Sequence, residues 1–164
     1  MALQKTSIDI ITSALNEEDC LPEFFNRIKK VMSSEKKYTY RVIVMDNGSS
    51  DRTWEIISTH SETNRNIVGI QLSRTFTLDA AFTCGLDFAS ADVAILMTSD
   101  LQDPPELIPN LLRKFEEGFD QVLVRITKRG TVPIPRRVLS WAFYAIASRM
   151  TDGMLPKSVS DFRL

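Results

Sequence analysis

Strand-like and helix-like segments alternate along the chain as far as Ile126, and that ordering leaves few folds open to it. Ser7–Ser13, Tyr40–Met45, Ile67–Leu72, Asp92–Met97 and Gln121–Ile126 read as apolar strands. Between them, Leu21, Phe24, Phe25, Ile28, Val31 and Met32 recur at helical spacing. This predicts a helix over 17–33, capped by Asn16, with Glu17, Glu18 and Asp19 facing the helix dipole. A second helix starts at about Asp51 and carries Trp54, Ile56 and Ile57; a third spans Leu78–Ala89. Asp103-Pro104-Pro105-Glu106 has the pattern of a cap, a first-turn proline and a capping-box acid, opening a helix over Leu107–Glu117 that Gly118 ends. A βαβαβαβαβ series predicts an α/β fold with a mostly parallel sheet covered on both faces.

In such a sheet ligands bind beyond the carboxyl ends of the strands. Asn16, Asp46 and Asp100 each follow a predicted strand, so they can converge although they are far apart in sequence. Asp100, Gln102 and Asp103 place three oxygen-bearing side chains on one turn, a set that suits a hard divalent cation and, through it, a diphosphate. Carboxylate ligands favour Mg²⁺ or Mn²⁺, and Asp46 can accept a hydrogen bond from a base or ribose. Duller roles exist for several residues: Asp103 and Asp51 as helix caps, Ser49 and Ser50 as turn formers, His60 as a solvated helix-end residue. Arg74 suits either a surface ion pair or a phosphate.

Beyond Ile126 the chemistry changes. Residues 1–120 hold 12 basic and 19 acidic side chains, whereas residues 121–164 hold 8 basic and 2 acidic. A basic end fits an anionic partner such as phosphate, a lipid headgroup or nucleic acid, as well as a plain solvated face. Thr127–Pro135 reads as a basic loop. Arg136–Met150 reads as a helix with a wide apolar face (Val138, Leu139, Ala142, Phe143, Ala145, Ile146, Met150), suited to a core, to a membrane interface or to self-association into a homo-oligomer. The chain has no run approaching the roughly 20 apolar residues that span a bilayer, and no signal-peptide pattern at its N-terminus. Cys20 and Cys84 form no zinc pattern and read as reduced thiols, pointing to a cytoplasmic protein.

Taken together, these segments resemble the GT-A glycosyltransferases of family 2, in the polyprenyl-phosphate branch that includes the dolichol- and undecaprenyl-phosphate sugar transferases. The matching stretches are Leu15-Asn16-Glu17-Glu18, Met45-Asp46-Asn47-Gly48-Ser49-Ser50-Asp51, Leu72-Ser73-Arg74, Ala80-Ala81, Gly85-Leu86-Asp87, Ser99-Asp100-Leu101-Gln102-Asp103-Pro104-Pro105-Glu106, Phe143-Tyr144 and Asp161-Phe162-Arg163-Leu164. The resemblance implies one Rossmann-like GT-A catalytic domain over 1–164, cut short at its C-terminal end, with 127–150 as its acceptor-side loop and interfacial helix. It implies an inverting, metal-assisted transfer from a UDP- or GDP-sugar to a polyprenyl phosphate, for cell-wall or polysaccharide synthesis. The enzyme would sit peripherally at the inner face of the membrane.

In that resemblance Asp100 and Gln102 are the catalytic and metal-holding residues. Asn16, Glu17, Asp46, Asn47, Arg74 and Ser99 frame the donor, and Arg125, Arg129, Arg137 and Ser140 grip the acceptor phosphate. Nucleic acid is not an expected partner. This chain departs from the family pattern at Thr98, where Asp is usual, at Asn47 and Ser13, and at Thr75 and Thr77, where Asn and Gly are usual. Two other readings follow from those departures and from the architecture: a degenerate nucleotide-sugar-binding domain, and a sugar nucleotidyltransferase. The second lacks the glycine-rich loop expected after its first strand.

Overall fold

The structure, a computed structural model, describes residues 5–125, 159–164 and Arg149. The elements run β1 (Thr6–Ala14), α1 (Leu21–Ser34), β2 (Tyr38–Asp46), α2 (Thr53–Thr63), β3 (Ile67–Gln71), α3 (Leu78–Asp87), β4 (Val93–Leu96), a 3-10 turn (Pro105–Leu107), α4 (Ile108–Glu116), β5 (Leu123–Arg125) and β6 (Val159–Arg163). The loop and helix expected over 127–150 lie outside the described residues except for Arg149, and so do Arg129, Arg137 and Ser140.

The sheet has the order β3-β2-β1-β4-β6-β5. Its first four strands pair in parallel, while β6 runs antiparallel to both β4 and β5. The α/β class and the parallel majority therefore match expectation. The closing strand does not: β5 pairs with β6, which lies between it and β4, and the sequence pattern does not mark β6 as a strand. Phe162 explains why this end is ordered, since its ring is fully buried in the main core.

Side chains alternate across β1. Ile8, Ile10 and Ala14 enter a core shared with Leu21, Phe24 and Ile28 of α1, Ile57 of α2, and Leu111 and Leu112 of α4. Ile11 points the other way, with Ile43, Met45, Leu96 and Phe82 of α3. At Gly85 a Cβ would come within 2.7 Å of the Met45 methyl carbon, so glycine sets the close approach of α3 to the sheet.

Two helix starts differ from the pattern. α1 begins at Leu21, not at 17, and no side chain caps it. Pro22 falls in the first turn, where its missing N–H costs nothing, and this fixes the start. The Asp103 start also moves. Each residue before a proline is driven to extended backbone, so the Pro104-Pro105 pair holds Pro104 at φ −73°, ψ 121° and delays the turn to Pro105. Asp103 therefore caps nothing, and Glu106 leaves the capping box to pair with Arg27.

The chain visits β1, β2 and β3 on one side and then returns to place β4 on the other side of β1. The crevice beyond the carboxyl ends of β1 and β4 is thus a topological switch point, the place where open α/β sheets take their ligands.

Candidate functional site

The loops leaving β1, β2 and β4 build the site. Ala14 ends β1 fully buried; Asn16 then turns at φ +56°, a left-handed conformation that asparagine tolerates. Its Oδ1 accepts from the Ser50 amide at 2.8 Å, and its own amide donates to Ser49 Oγ at 3.0 Å. So Asn16 clamps the β1 loop to the β2 loop rather than capping α1. The neighbouring acids serve α2 instead: the Glu17 amide donates to Thr53 Oγ1 at 2.8 Å, and the Arg52 amide donates to Glu18 Oε2 at 3.0 Å. Asp51 accepts from the Thr53 amide at 3.0 Å and from the Glu18 amide at 3.2 Å, and so satisfies the helix start much as a cap does.

Asp46 ends β2 fully buried. Its Oδ1 accepts from the Ser49 amide at 3.1 Å, and Gln71 Nε2 lies 3.4 Å from Oδ2. Asn47 turns its amide onto the β3 loop, where it both donates to and accepts from the Phe76 backbone. Gly48, at φ +79°, lets the two loops touch: a Cβ there would lie 2.7 Å from the Thr75 nitrogen. Arg74 is exposed, with its guanidinium 4.3 Å above the Phe76 ring.

After β4, Ser99 is buried and its hydroxyl donates to the Ser13 carbonyl at 3.0 Å, tying this turn to β1. Leu101 adopts φ +61°, an uncommon conformation for leucine, and its side chain packs against the main core. That turn leaves Asp100 half-buried and Gln102 exposed. Asp100 Oδ1 accepts from Thr98 Oγ1 at 2.8 Å and from the Gln102 amide at 3.1 Å. The same threonine oxygen lies 3.3 Å from Asp103 Oδ2, and Ser160 Oγ donates to Asp103 Oδ1 at 2.8 Å.

Electrostatics mark the convergence. Burial pushes the Glu17 carboxyl above its usual range; a bond from the Cys20 thiol opposes this, while the charges of Asp100 and Asp51 add to it. Burial likewise pushes up the Cys20 thiol, with Glu17, Asp19 and Asp100 adding to the shift. Burial acts to raise the Asp51 carboxyl, but bonds from Thr53 and Glu18 outweigh it and hold the group low. Acids from three loops thus face one small volume.

The structure brings Asn16, Glu17, Asp46, Asn47, Ser99 and Asp100 together at the carboxyl ends of β1, β2 and β4, with Arg74 at the β3 loop beside them. Arg125 is exposed at the end of β5. His60 is not simply solvated: its ring stacks on Phe25 at 4.7 Å between centroids, and its Nδ1 lies 2.9 Å from the Ile56 carbonyl. The residues that sequence reasoning undervalued are Thr98, Asp103 and Ser160. The double proline was the available sign that Asp103 is free to turn elsewhere.

Among the described residues no group of three or more His, Cys, Asp or Glu is arranged to hold a metal. This does not exclude Mg²⁺ or Mn²⁺, because a small hard cation is commonly bound by one or two carboxylates plus substrate phosphates. Asp100 and Asp103, sharing the Thr98 hydroxyl, fit that donor set.

Residues 9–161 match the family described as glycosyl transferase family 2. Among curated relatives, the chain is 32% identical over 158 residues to the bactoprenol glucosyl transferase of Shigella phage SfV, covering 96% of this chain and 51% of the relative. It is 37% identical over 116 residues to the undecaprenyl-phosphate 4-deoxy-4-formamido-L-arabinose transferase of Shewanella sediminis, covering 70% of this chain and 35% of the relative. The chain spans about half the length of the first curated relatives it matches. Among solved structures, glucosyl-3-phosphoglycerate synthase from Mycobacterium tuberculosis in complex with UDP superposes with a TM-score of 0.67 at 23% identity, covering 96% of this chain and 56% of that one. The mannosyltransferase PcManGT from Pyrobaculum calidifontis in complex with GDP-Man and Mn²⁺ gives 0.61 at 18% identity, covering 77% of this chain and 37% of that one. At these identities the two structures support the fold alone.

Proposed function

This chain belongs to glycosyl transferase family 2, and from that premise we propose that it forms the donor-binding core of an enzyme that moves a sugar from a UDP- or GDP-sugar to a polyprenyl phosphate. The observation that carries the reading is the placing of Asn16, Glu17, Asp46 and Asp100 at the adjoining carboxyl ends of β1, β2 and β4, beside the switch point. The names of the relatives support a bactoprenol or undecaprenyl-phosphate acceptor. The two similar folds named above were solved with UDP and with GDP-mannose and Mn²⁺, and the proposed donor and cation are of those same classes.

In this reading the β2 loop, with Asp46 and Asn47, forms the nucleoside side, and Asn16, Glu17, Ser99 and Arg74 frame the donor around it. Asp100 and Gln102 would hold Mg²⁺ or Mn²⁺, which screens the diphosphate as it becomes the leaving group. An acceptor phosphate oxygen bonds to the anomeric carbon on the face opposite the diphosphate, and the carbon–oxygen bond to the diphosphate breaks, so the centre inverts. A phosphate monoester has a second pKa near 6 and is mostly dianionic at neutral pH, so it attacks without a strong protein base. The chain's task is then to orient two anions and offset their repulsion. Arg125, with Arg129, Arg137 and Ser140 from the basic segment, would meet the acceptor phosphate at the inner membrane face. Among the described residues no helix is long and apolar enough to cross a membrane.

Calorimetric titration of UDP and GDP, with and without Mn²⁺, on this protein and on Asp100→Ala tests the reading. Metal-dependent binding lost in the variant is the expected result; no binding of either nucleotide would sink it. Thr98, standing where a carboxylate is usual, favours a second reading, a domain that binds nucleotide-sugar without turnover. Transfer of labelled sugar to undecaprenyl phosphate by the full chain overturns that alternative.

A further inference from the structure

The following deepens the donor-site reading and rests on it. We propose that Asp103, held in place from β6 by Ser160, supplies the metal-site carboxylate that Thr98 lacks. The double proline leaves Asp103 outside any helix start, and its carboxylate turns back toward the Asp100 turn. There both acids bracket one hydroxyl: Thr98 Oγ1 is 2.8 Å from Asp100 Oδ1 and 3.3 Å from Asp103 Oδ2. A hydroxyl has one proton to give, and the shorter distance assigns it to Asp100. Asp103 Oδ2 is left facing the same small volume with lone pairs to spare. Two carboxylates so placed repel each other, and a divalent cation held by Asp100 and Asp103 would relieve that repulsion.

Asp103 is also fixed rather than loose. Ser160 Oγ donates to its other oxygen at 2.8 Å and itself accepts from the Phe162 amide at 3.2 Å. Phe162, two residues along β6, is fully buried, so the serine is anchored through the core. Ser160 is thus a positioning residue: it acts on the metal through Asp103. It also ties the strand that follows the basic segment to the donor turn.

The test follows free Mn²⁺ by electron paramagnetic resonance, without nucleotide, in the full chain and in four variants checked for folding by thermal melts. Asp103→Asn should weaken Mn²⁺ binding at least ten-fold, and Ser160→Ala by about ten-fold, the range seen when a metal ligand loses its supporting hydrogen bond. Ser160→Thr, which keeps the hydroxyl, should bind as wild type. The decisive variant is Thr98→Asp combined with Asp103→Asn, which should regain the lost affinity by returning a carboxylate to the site. Wild-type affinity in Asp103→Asn, or a folded double variant that recovers nothing, overturns the proposal, as does a wild-type chain that binds no Mn²⁺. Mn²⁺ binding that follows this pattern while neither UDP nor GDP binds would uphold the carboxylate pair and sink the transferase reading.

Discussion

Asn47 holds the Phe76 backbone at both ends: its Oδ1 accepts from the Phe76 amide and its Nδ2 donates to the Phe76 carbonyl, each at 2.9 Å. A side-chain amide thereby imitates a strand partner and joins the β2 loop to the loop after β3. Replacement by alanine removes both the acceptor and the donor and leaves the Phe76 amide and carbonyl unpaired. About 1–3 kcal/mol of stability should be lost. Hydrogen exchange at the Phe76 amide should speed up, and nucleotide affinity measured by calorimetry should fall with it. Unchanged exchange would mean that the clamp is not what orders the loop.

Gly48→Ala should be costly for two independent reasons. The backbone sits at φ +79°, and the new Cβ would meet the Thr75 nitrogen at 2.7 Å and the Arg74 carbonyl carbon at 2.8 Å. We expect a loss of about 1–3 kcal/mol, or roughly 2–10 °C in melting temperature, together with weaker UDP or GDP binding. A melt within a degree or so of wild type would show that the β3 loop yields readily.

The Asp9–Arg41 pair predicts an acid limb in the stability curve. Asp9 is buried, and burial alone would raise its carboxyl; bonds from Arg41 and from the Ser90 and Ala91 amides outweigh this and hold it below the usual aspartate range. A group whose folded pKa is depressed contributes stability above its unfolded value near 4, and that contribution disappears as the pH falls through the folded pKa. Asp9→Asn should therefore cost most at pH 7, about 2 kcal/mol given that Arg41 keeps 40% of its side chain exposed. The difference should shrink toward pH 3. Urea unfolding at both pH values checks it; an equal loss at both would assign the effect to packing.

Glu17 has the opposite sign. Its folded pKa is raised, first by burial and then by Asp100 and Asp51. The folded protein thus holds this proton more tightly than the unfolded chain, and the associated stability is lost as the pH rises through the folded pKa. Glu17→Gln should melt higher than wild type at pH 7, with the gap closing near pH 4, and should bind nucleotide more weakly if Glu17 frames the donor. A lower melt at pH 7 would contradict the electrostatic account.

Phe162→Ala should remove about 3–5 kcal/mol, because the ring is fully buried among core residues from both chain ends. Solvent exchange at the Leu164 and Val122 amides, which pair with each other's carbonyls at 2.9 Å, should rise at the same time. Protection that persists there would show that β6 is held without its phenylalanine.

Much of the fold could be read from periodicity because β1 through β4 are parallel and, β3 at the sheet edge apart, largely buried, and such strands appear as apolar runs. The pairing of Asp9 with Arg41 is not legible that way: both fall inside the expected strands, and only the register of β1 against β2 places them side by side. β6 is not legible either: Val159–Arg163 carries three polar residues (Ser160, Asp161, Arg163) and one anchor, and its partners lie far back in sequence. For the site, the acids after β1, β2 and β4 were legible from strand ends alone. Their partners were not. Asn16 and Glu18 looked like cap and dipole residues for the helix next to them, whereas contacts across loops gave them to Ser50 and Arg52.

The insertion of β6 between β4 and β5 also sets the order in which this chain can finish folding. Among the described residues β5 has no strand to join until residues 159–163 arrive, and while the chain emerges from the ribosome β4 is the open edge of the parallel strands. Pairings this distant in sequence form slowly. An unpaired strand edge invites other chains in the meantime, so truncation before Val159 should yield aggregation rather than a smaller soluble domain.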